Sequence, residues 1–191
     1  MLIHRIDEEV SLRLFTIDDA EEFYTLTIRS KAYLKEWLGW LDYVESVQDT
    51  AENIKLRLTE LVENGGYPKS FAIIHKGKMA GTIGFNDINK LNKIGVVGYW
   101  LGEEFQGKGI MTKAFKRLIE YGFKDLGLNR IEVRVAVENI NSRALPERLG
   151  FRKEGELRKA EWLYDHYVDH VIYGLLAEEW NILSPKRNSF N

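Results

Sequence analysis

The chain has 191 residues, 45% of them apolar and 29% charged, with a net charge of −2. That is the composition of one globular domain, and it excludes a surface built to coat nucleic acid or an anionic membrane. There is no cysteine, so disulfides, thiolate zinc sites and cysteine nucleophiles are excluded too.

The N-terminal stretch MLIHRIDEEV carries acid where a secretory leader needs an apolar run. No apolar run approaches the ~20 residues of a membrane span; a cytoplasmic protein is expected. VSLRLF (10–15) reads as a strand. Thr16 with Asp19 three residues on has the form of a capping box, and Ala20, Phe23 and Tyr24 follow at helical spacing. The aromatic segment 32–44 reads as a short helix and a loop. Asp49 or Thr50 opens a further helix that stops at Asn64-Gly65-Gly66.

SFAIIHKGKMAGTIGFNDI reads as two strands joined at Lys76-Gly77, and KIGVVGYWL as a third. The next helix places Met111, Ala114, Phe115, Leu118, Ile119, Gly122, Phe123 and Leu126 on one core-facing side. Lys113, Lys116, Arg117, Glu120 and Lys124 fall on the other, which is expected to face solvent; Gly127 ends the helix. RIEVRVAV (130–137) alternates as a half-buried strand. A short helix follows over 141–149, then strands within 151–162 and 167–180. The order β-α-α-α-β-β-β-α-β-α-β-β predicts a single mixed α/β domain over 1–183, with a polar tail over 184–191.

The segment EEFQGKGIMTKAF (103–115) leaves a strand through two glycines and starts a helix at once. Glycine permits backbone angles that side chains forbid. The first turn of a helix has unpaired N–H groups and the positive end of the helix dipole, so such a loop suits a phosphate. A P-loop is excluded because Gly109 follows Lys108; a dinucleotide fingerprint is met by Gly107 and Gly109 but has Thr112 in place of its third glycine, and the strand-loop-helix context keeps a nucleotide fold as an alternative. A tight turn without a ligand remains the plain alternative.

These segments resemble the GCN5-related N-acetyltransferases (GNAT). That family binds acetyl-CoA with a Q/R-x-x-G-x-G/A loop, matched by Gln106, Gly107-Lys108 and Gly109; Met111 departs from its last position. Asn139, Ser142, Glu147, Gly150 and Phe151 match a second family pattern. YWLGEEFQGKGIMTKA, YLKEWLGW and AEWLYDHYVDHVIYGLLAEEW are similar to the Rim-type branch, the ribosomal-protein N-terminal acetyltransferases. The resemblance implies a GNAT-like α/β (α+β) domain whose mixed, mostly antiparallel sheet has about seven strands.

It also implies direct transfer from the thioester to an amine, with acetyl-CoA as co-substrate and no metal. By that resemblance Tyr99, Trp100 and Leu101 pair with the pantetheine arm. Gln106, Gly107, Lys108, Gly109, Ile110, Met111 and Thr112 hold the pyrophosphate. Asn139 touches the pantetheine or acetyl region, and Ser142 lies near the sulfur. The family's usual tyrosine acid, seven residues after the asparagine, is replaced by Pro146, which leaves Ser142 as the candidate donor to the sulfur. Many relatives carry an acid near the position of Val96. Glu103, Glu104, Asp87, Glu161 and His75 are unranked substitutes for the base.

An α-amine, with a pKa of about 7.8, loses its proton at pH 7 for about 1 kcal/mol, and a lysine for roughly 4.6 kcal/mol. Because the sequence shows no evident strong base, the expected acceptor is a protein N-terminus; alternatives are a small amine (polyamine, aminoglycoside or amino acid), or a non-catalytic acetyl-CoA-binding role. Trp37 and Trp40 either line the acceptor groove or pack a loop. Tyr164 and His166, in the last hairpin turn, are acceptor candidates. His166 and His170 lie roughly 13 Å apart in a strand, which argues against a metal pair. A homodimer is compatible with the resemblance.

Overall fold

The computed structural model describes residues 3–183; the tail expected over 184–191 lies outside the described residues. One eight-stranded sheet runs in the order β1-β2-β3-β4-β5-β6-β8-β7. Its strands are β1 (Ile3–Arg5), β2 (Val10–Arg13), β3 (Ser70–His75), β4 (Lys78–Asn89), β5 (Ile94–Leu101), β6 (Arg130–Ala136), β7 (Arg152–Leu163) and β8 (His166–Leu176). The helices are α1 (Ala20–Arg29), α2 (Lys31–Leu34), α3 (Val47–Glu63), α4 (Ile110–Lys124), α5 (Ile140–Arg148) and α6 (Ala177–Leu183). The sheet is mixed and mostly antiparallel, with β5 and β6 its parallel pair.

The strand beyond the expected seven is β1, three residues long and too short to show a period. The Asp7 carboxylate turns the chain into β2 by accepting the N–H groups of Glu9 (2.9 Å) and Val10 (2.8 Å). That turn also covers part of α4's charged face: Lys113 pairs with Asp7 at 2.7 Å and Arg117 meets His4 at 2.7 Å. Lys116 and Lys124 are exposed as expected.

Asp19 opens α1 as a single 3-10 turn, accepting the Thr16 N–H at 2.7 Å and two 2.6 Å bonds from Arg13. α3 starts earlier than expected. Ser46 is its N-cap and Asp49 stands three residues in, with the Ser46 N–H donating to Asp49 at 2.8 Å; this is a capping box, which satisfies two orphan donors at once. The last strand ends at Leu176 instead of continuing to 180. Glu179 reaches back to the Leu176 N–H at 3.0 Å and Trp180 is buried, so the chain turns helical there.

α4 packs its apolar face on the sheet: Ala114, Phe115, Leu118, Ile119 and Gly122 are buried, with Ile110 and Tyr121 added. Gly122 matters sterically, since a Cβ there would stand 2.9 Å from Phe85 and 3.0 Å from Ile131. The helix therefore lies close on β4 and β6, and its N-terminus is fixed beside the end of β5.

The β5–β6 ladder covers only Ile94–Val97 against Arg130–Val133. Beyond it, Gly98–Leu101 stay paired to β4 and Arg134–Ala136 to β8. The two parallel strands thus diverge into a wedge, and each presents unpaired backbone groups to it. Alternation along β5 sends Tyr99 toward α4, 5.4 Å from the Phe115 ring, and Trp100 toward α1, stacked 5.5 Å from Phe23.

Candidate functional site

On the α4 face, the wedge meets the glycine loop. Gly107 and Gly109 both adopt φ 71°, a left-handed conformation that favours glycine. A Cβ at either position would touch nothing within 4 Å, so conformation, not crowding inside the fold, requires glycine. Lys113 N–H is bonded to the Gly109 carbonyl at 3.1 Å, which leaves the N–H groups of Ile110, Met111 and Thr112 without helical partners. Among the described residues no side chain caps this end, and no acid sits in its first turn. Lys108 donates to the Glu104 carbonyl at 2.7 Å, which holds its ammonium over the loop's entry. Gln106 lies against Tyr33, whose buried hydroxyl has no well-formed hydrogen bond; burial pushes that phenol up to about 12, and the Gln106 side chain tempers the shift. The arrangement is an open cradle of N–H donors, a geometry that suits an anion.

The second motif closes the other side of the wedge. The Asn139 side chain caps α5, its Oδ1 accepting the Ser142 N–H at 3.1 Å. The Ser142 carbonyl accepts from the Tyr99 hydroxyl at 3.1 Å. Burial raises the Tyr99 phenol well above its ordinary range. Glu147 accepts from Tyr173 at 2.6 Å, and Tyr173 accepts from Arg143 at 3.1 Å, so the motif glutamate anchors α5 to β8. Pro146 is buried inside α5. The Ser142 hydroxyl has no partner among the described residues.

On the opposite face lies a groove of about 360 Å³. Its floor is Gly84 and Gly98, paired across β4 and β5. Asn86, at the β4 bulge, lies over Gly98, since a Cβ there would meet its side-chain amide at 2.4–2.5 Å. Trp40, 6.3 Å from the Trp100 ring, lines the groove at one end. Arg57 and Glu60 from α3, with Lys69, line the other.

Of the residues singled out for the acceptor, Trp40 alone borders this groove. Trp37 is half-buried elsewhere. Tyr164 is a pin: its hydroxyl donates to the Leu38 carbonyl and Lys35 lies 4.4 Å from its ring. His166 is exposed and bonded to Asp165 at 2.6 Å.

The five candidate bases separate clearly. Glu103 and Glu104 are exposed before the glycine loop, and Asp87 is exposed beyond the β4 bulge. His75 lies 3.7 Å from Glu9 and 6.0 Å from the Phe105 ring. Glu161 bonds His170 at 3.1 Å. His170 stands opposite Ala136, at the diverging end of β6, and alternation puts it on the groove face. Glu161 Oε1 also lies 3.7 Å from where a Gly39 Cβ would be, against the loop that carries Trp40. Among the described residues, no group of three or more His, Asp or Glu is placed to hold a metal, and no helix is long and apolar enough to cross a membrane.

The model of the family described as "Acetyltransferase (GNAT) domain" matches residues 9–152. YdaF of Bacillus subtilis (strain 168), provisionally named a ribosomal N-acetyltransferase, is 33% identical over 94% of this chain and 98% of its own length. The ribosomal-protein-serine acetyltransferase of Escherichia coli (strain K12) is 32% identical over 91% and 96%. A solved RimL, a ribosomal L7/L12 α-N-protein acetyltransferase in complex with coenzyme A, superposes with a TM-score of 0.87 at 30% identity, covering 93% of this chain and 99% of that one. The chain belongs to the GNAT acetyltransferase family, alongside members named ribosomal-protein acetyltransferases.

Proposed function

We propose that this protein transfers the acetyl group of acetyl-CoA directly to the N-terminal α-amine of a protein, ribosomal proteins being the class its relatives are named for. The observation that carries the reading is the β5–β6 wedge, which joins an anion cradle on one face to an acceptor groove on the other.

Acetyl-CoA supplies the activated acyl thioester. The N–H groups of residues 107–112 bind its pyrophosphate, and the free backbone edge of Tyr99–Leu101 holds the arm that enters the wedge. Asn139 and Tyr99 fix the first turn of α5. That turn presents the Ser142 hydroxyl and the positive helix end to the leaving sulfur. Glu161, oriented by His170, takes the proton of the incoming amine. A bulky or charged side chain next to that amine meets Trp40 and Trp100, which favours a small first residue.

A polyamine acceptor fits less well. The groove is lined by two cations, Arg57 and Lys69, against one carboxylate, Glu60; with Glu161 at its edge it has no net negative charge to draw a polycation. Free-thiol release should be followed over peptides with free Ser, Ala or Met N-termini, the same peptides N-blocked but containing lysine, and spermidine. Release with free N-termini alone supports the reading; faster release with spermidine overturns it.

A further inference from the structure

Among the described residues, Arg57 has no carboxylate within salt-bridge distance. Its Nε donates to Asn53 Oδ1 at 2.8 Å, and its Cζ lies 5.0 Å from the Phe15 ring centroid, stacked on that aromatic face. Its two Nη atoms make no hydrogen bond among the described residues. The nearby acid, Glu60, is already engaged by Lys69 at 3.2 Å. The groove end therefore carries one uncompensated positive charge with a planar fork of free N–H donors, a shape that matches a carboxylate bidentately. Arg57 is half-buried; desolvation disfavours its charge and Glu60 opposes that, so an acidic ligand at the fork would offset part of the cost.

We propose that Arg57 binds an acidic side chain of the acceptor, so that the preferred substrates are protein N-termini with Asp or Glu a few residues in. This rests on the N-terminal reading above. The floor between the wedge and Arg57 runs over β5 at Gly98, β4 at Gly84 and β3 at Ser70. Two to three strand spacings amount to ~10–15 Å, and an extended chain advances ~3.3 Å per residue. The acid thus falls at about the third to fifth residue. The Asn86 amide, over Gly98 at the wedge end of the floor, is placed to bond the backbone that passes.

The test uses the whole chain with acetyl-CoA and Ser-led peptides of one composition. Each peptide carries Glu or its uncharged counterpart Gln at position 2, 3, 4 or 5. The quantity read is the ratio of kcat/KM for the Glu and Gln members, in wild type, Arg57→Gln and Arg57→Lys. Because each ratio is taken within one preparation, partial loss of folded protein cancels. We expect a ratio of ~10 or more at the best position, the effect of one charge-assisted hydrogen bond. It should shrink with added salt, survive in part in Arg57→Lys, and fall to about 1 in Arg57→Gln. Efficient N-terminal transfer with a wild-type ratio near 1, or a ratio that survives Arg57→Gln, overturns the Arg57 assignment and leaves the N-terminal reading standing. Transfer to a small acidic amine, such as free glutamate, and to none of the peptides overturns both.

Discussion

The Tyr99 hydroxyl donates to the Ser142 carbonyl at 3.1 Å, so a side chain from the diverging end of β5 holds the first turn of α5 across the wedge. The phenol sits where a general acid could be sought. Burial pushes its pKa well up, and its proton is committed to a carbonyl; the tyrosine is a strut. Tyr99→Phe should lower stability by about 1 kcal/mol, measured by denaturant unfolding, and change kcat by no more than a few-fold. Loss of an alkaline limb from the kcat–pH profile in this variant would contradict the strut.

Cofactor binding and chemistry should separate between the two motifs. Ser142→Ala removes an unpartnered hydroxyl from the wedge and should lower kcat by about a hundredfold, leaving acetyl-CoA affinity nearly unchanged. Gly109→Val forces a β-branched residue into φ 71° and places its side chain over the cradle. Acetyl-CoA affinity should fall more than tenfold by calorimetry. The backbone strain should cost ~1–3 kcal/mol and stay within the loop, because a Cβ there meets nothing within 4 Å. A tenfold loss of affinity in Ser142→Ala would make that serine a cofactor ligand instead.

Glu161→Gln should lower kcat/KM for a free N-terminal peptide at pH 7 by about ten- to a hundredfold. The deficit should shrink above about pH 8, where an α-amine is largely deprotonated in solution. A deficit that stays constant from about pH 7 to pH 9 would exclude Glu161 as proton acceptor.

Asp19 joins β2 to α1 through Arg13. Burial raises its carboxyl pKa, but the Arg13 and Thr16 hydrogen bonds outweigh it, so the folded value lies below the ordinary 3.8. A carboxylate held low contributes stability that is fully present above its unfolded pKa and is lost as pH falls through the folded value. Asp19→Asn should therefore destabilise the protein at pH 7 by about 2–4 kcal/mol, because it leaves Arg13 without its partner. It should also flatten the loss of stability below about pH 4. Thermal unfolding of both proteins between pH 7 and pH 3 checks this; parallel curves would count against it.

The glycine cradle was legible because its cause is local: a φ requirement at Gly107 and Gly109 and the helix that follows. The apolar face of α4 is local in the same way, whereas the capping of α5 by Asn139 appears only in the structure. Two boundaries were misplaced where a polar side chain reaches back to a backbone N–H, Asp49 to Ser46 and Glu179 to Leu176; the S-x-x-D pattern at Ser46 was the signal for the first. The wedge could not be read, since it depends on where the β5–β6 ladder stops. Glu161 was one of five equivalent acids and bases until the β7–β8 register placed it beside His170. Arg57 gave no signal at all, because what distinguishes it is a missing counter-ion, a property of tertiary neighbours.

The most direct measurement gives the enzyme and acetyl-CoA one peptide that carries both a free serine N-terminus and an internal lysine. Tandem mass spectrometry then locates the acetyl group. Acetylation of the α-amine alone is the predicted result. Acetylation of the lysine, or of neither amine while spermidine is modified, would contradict the account.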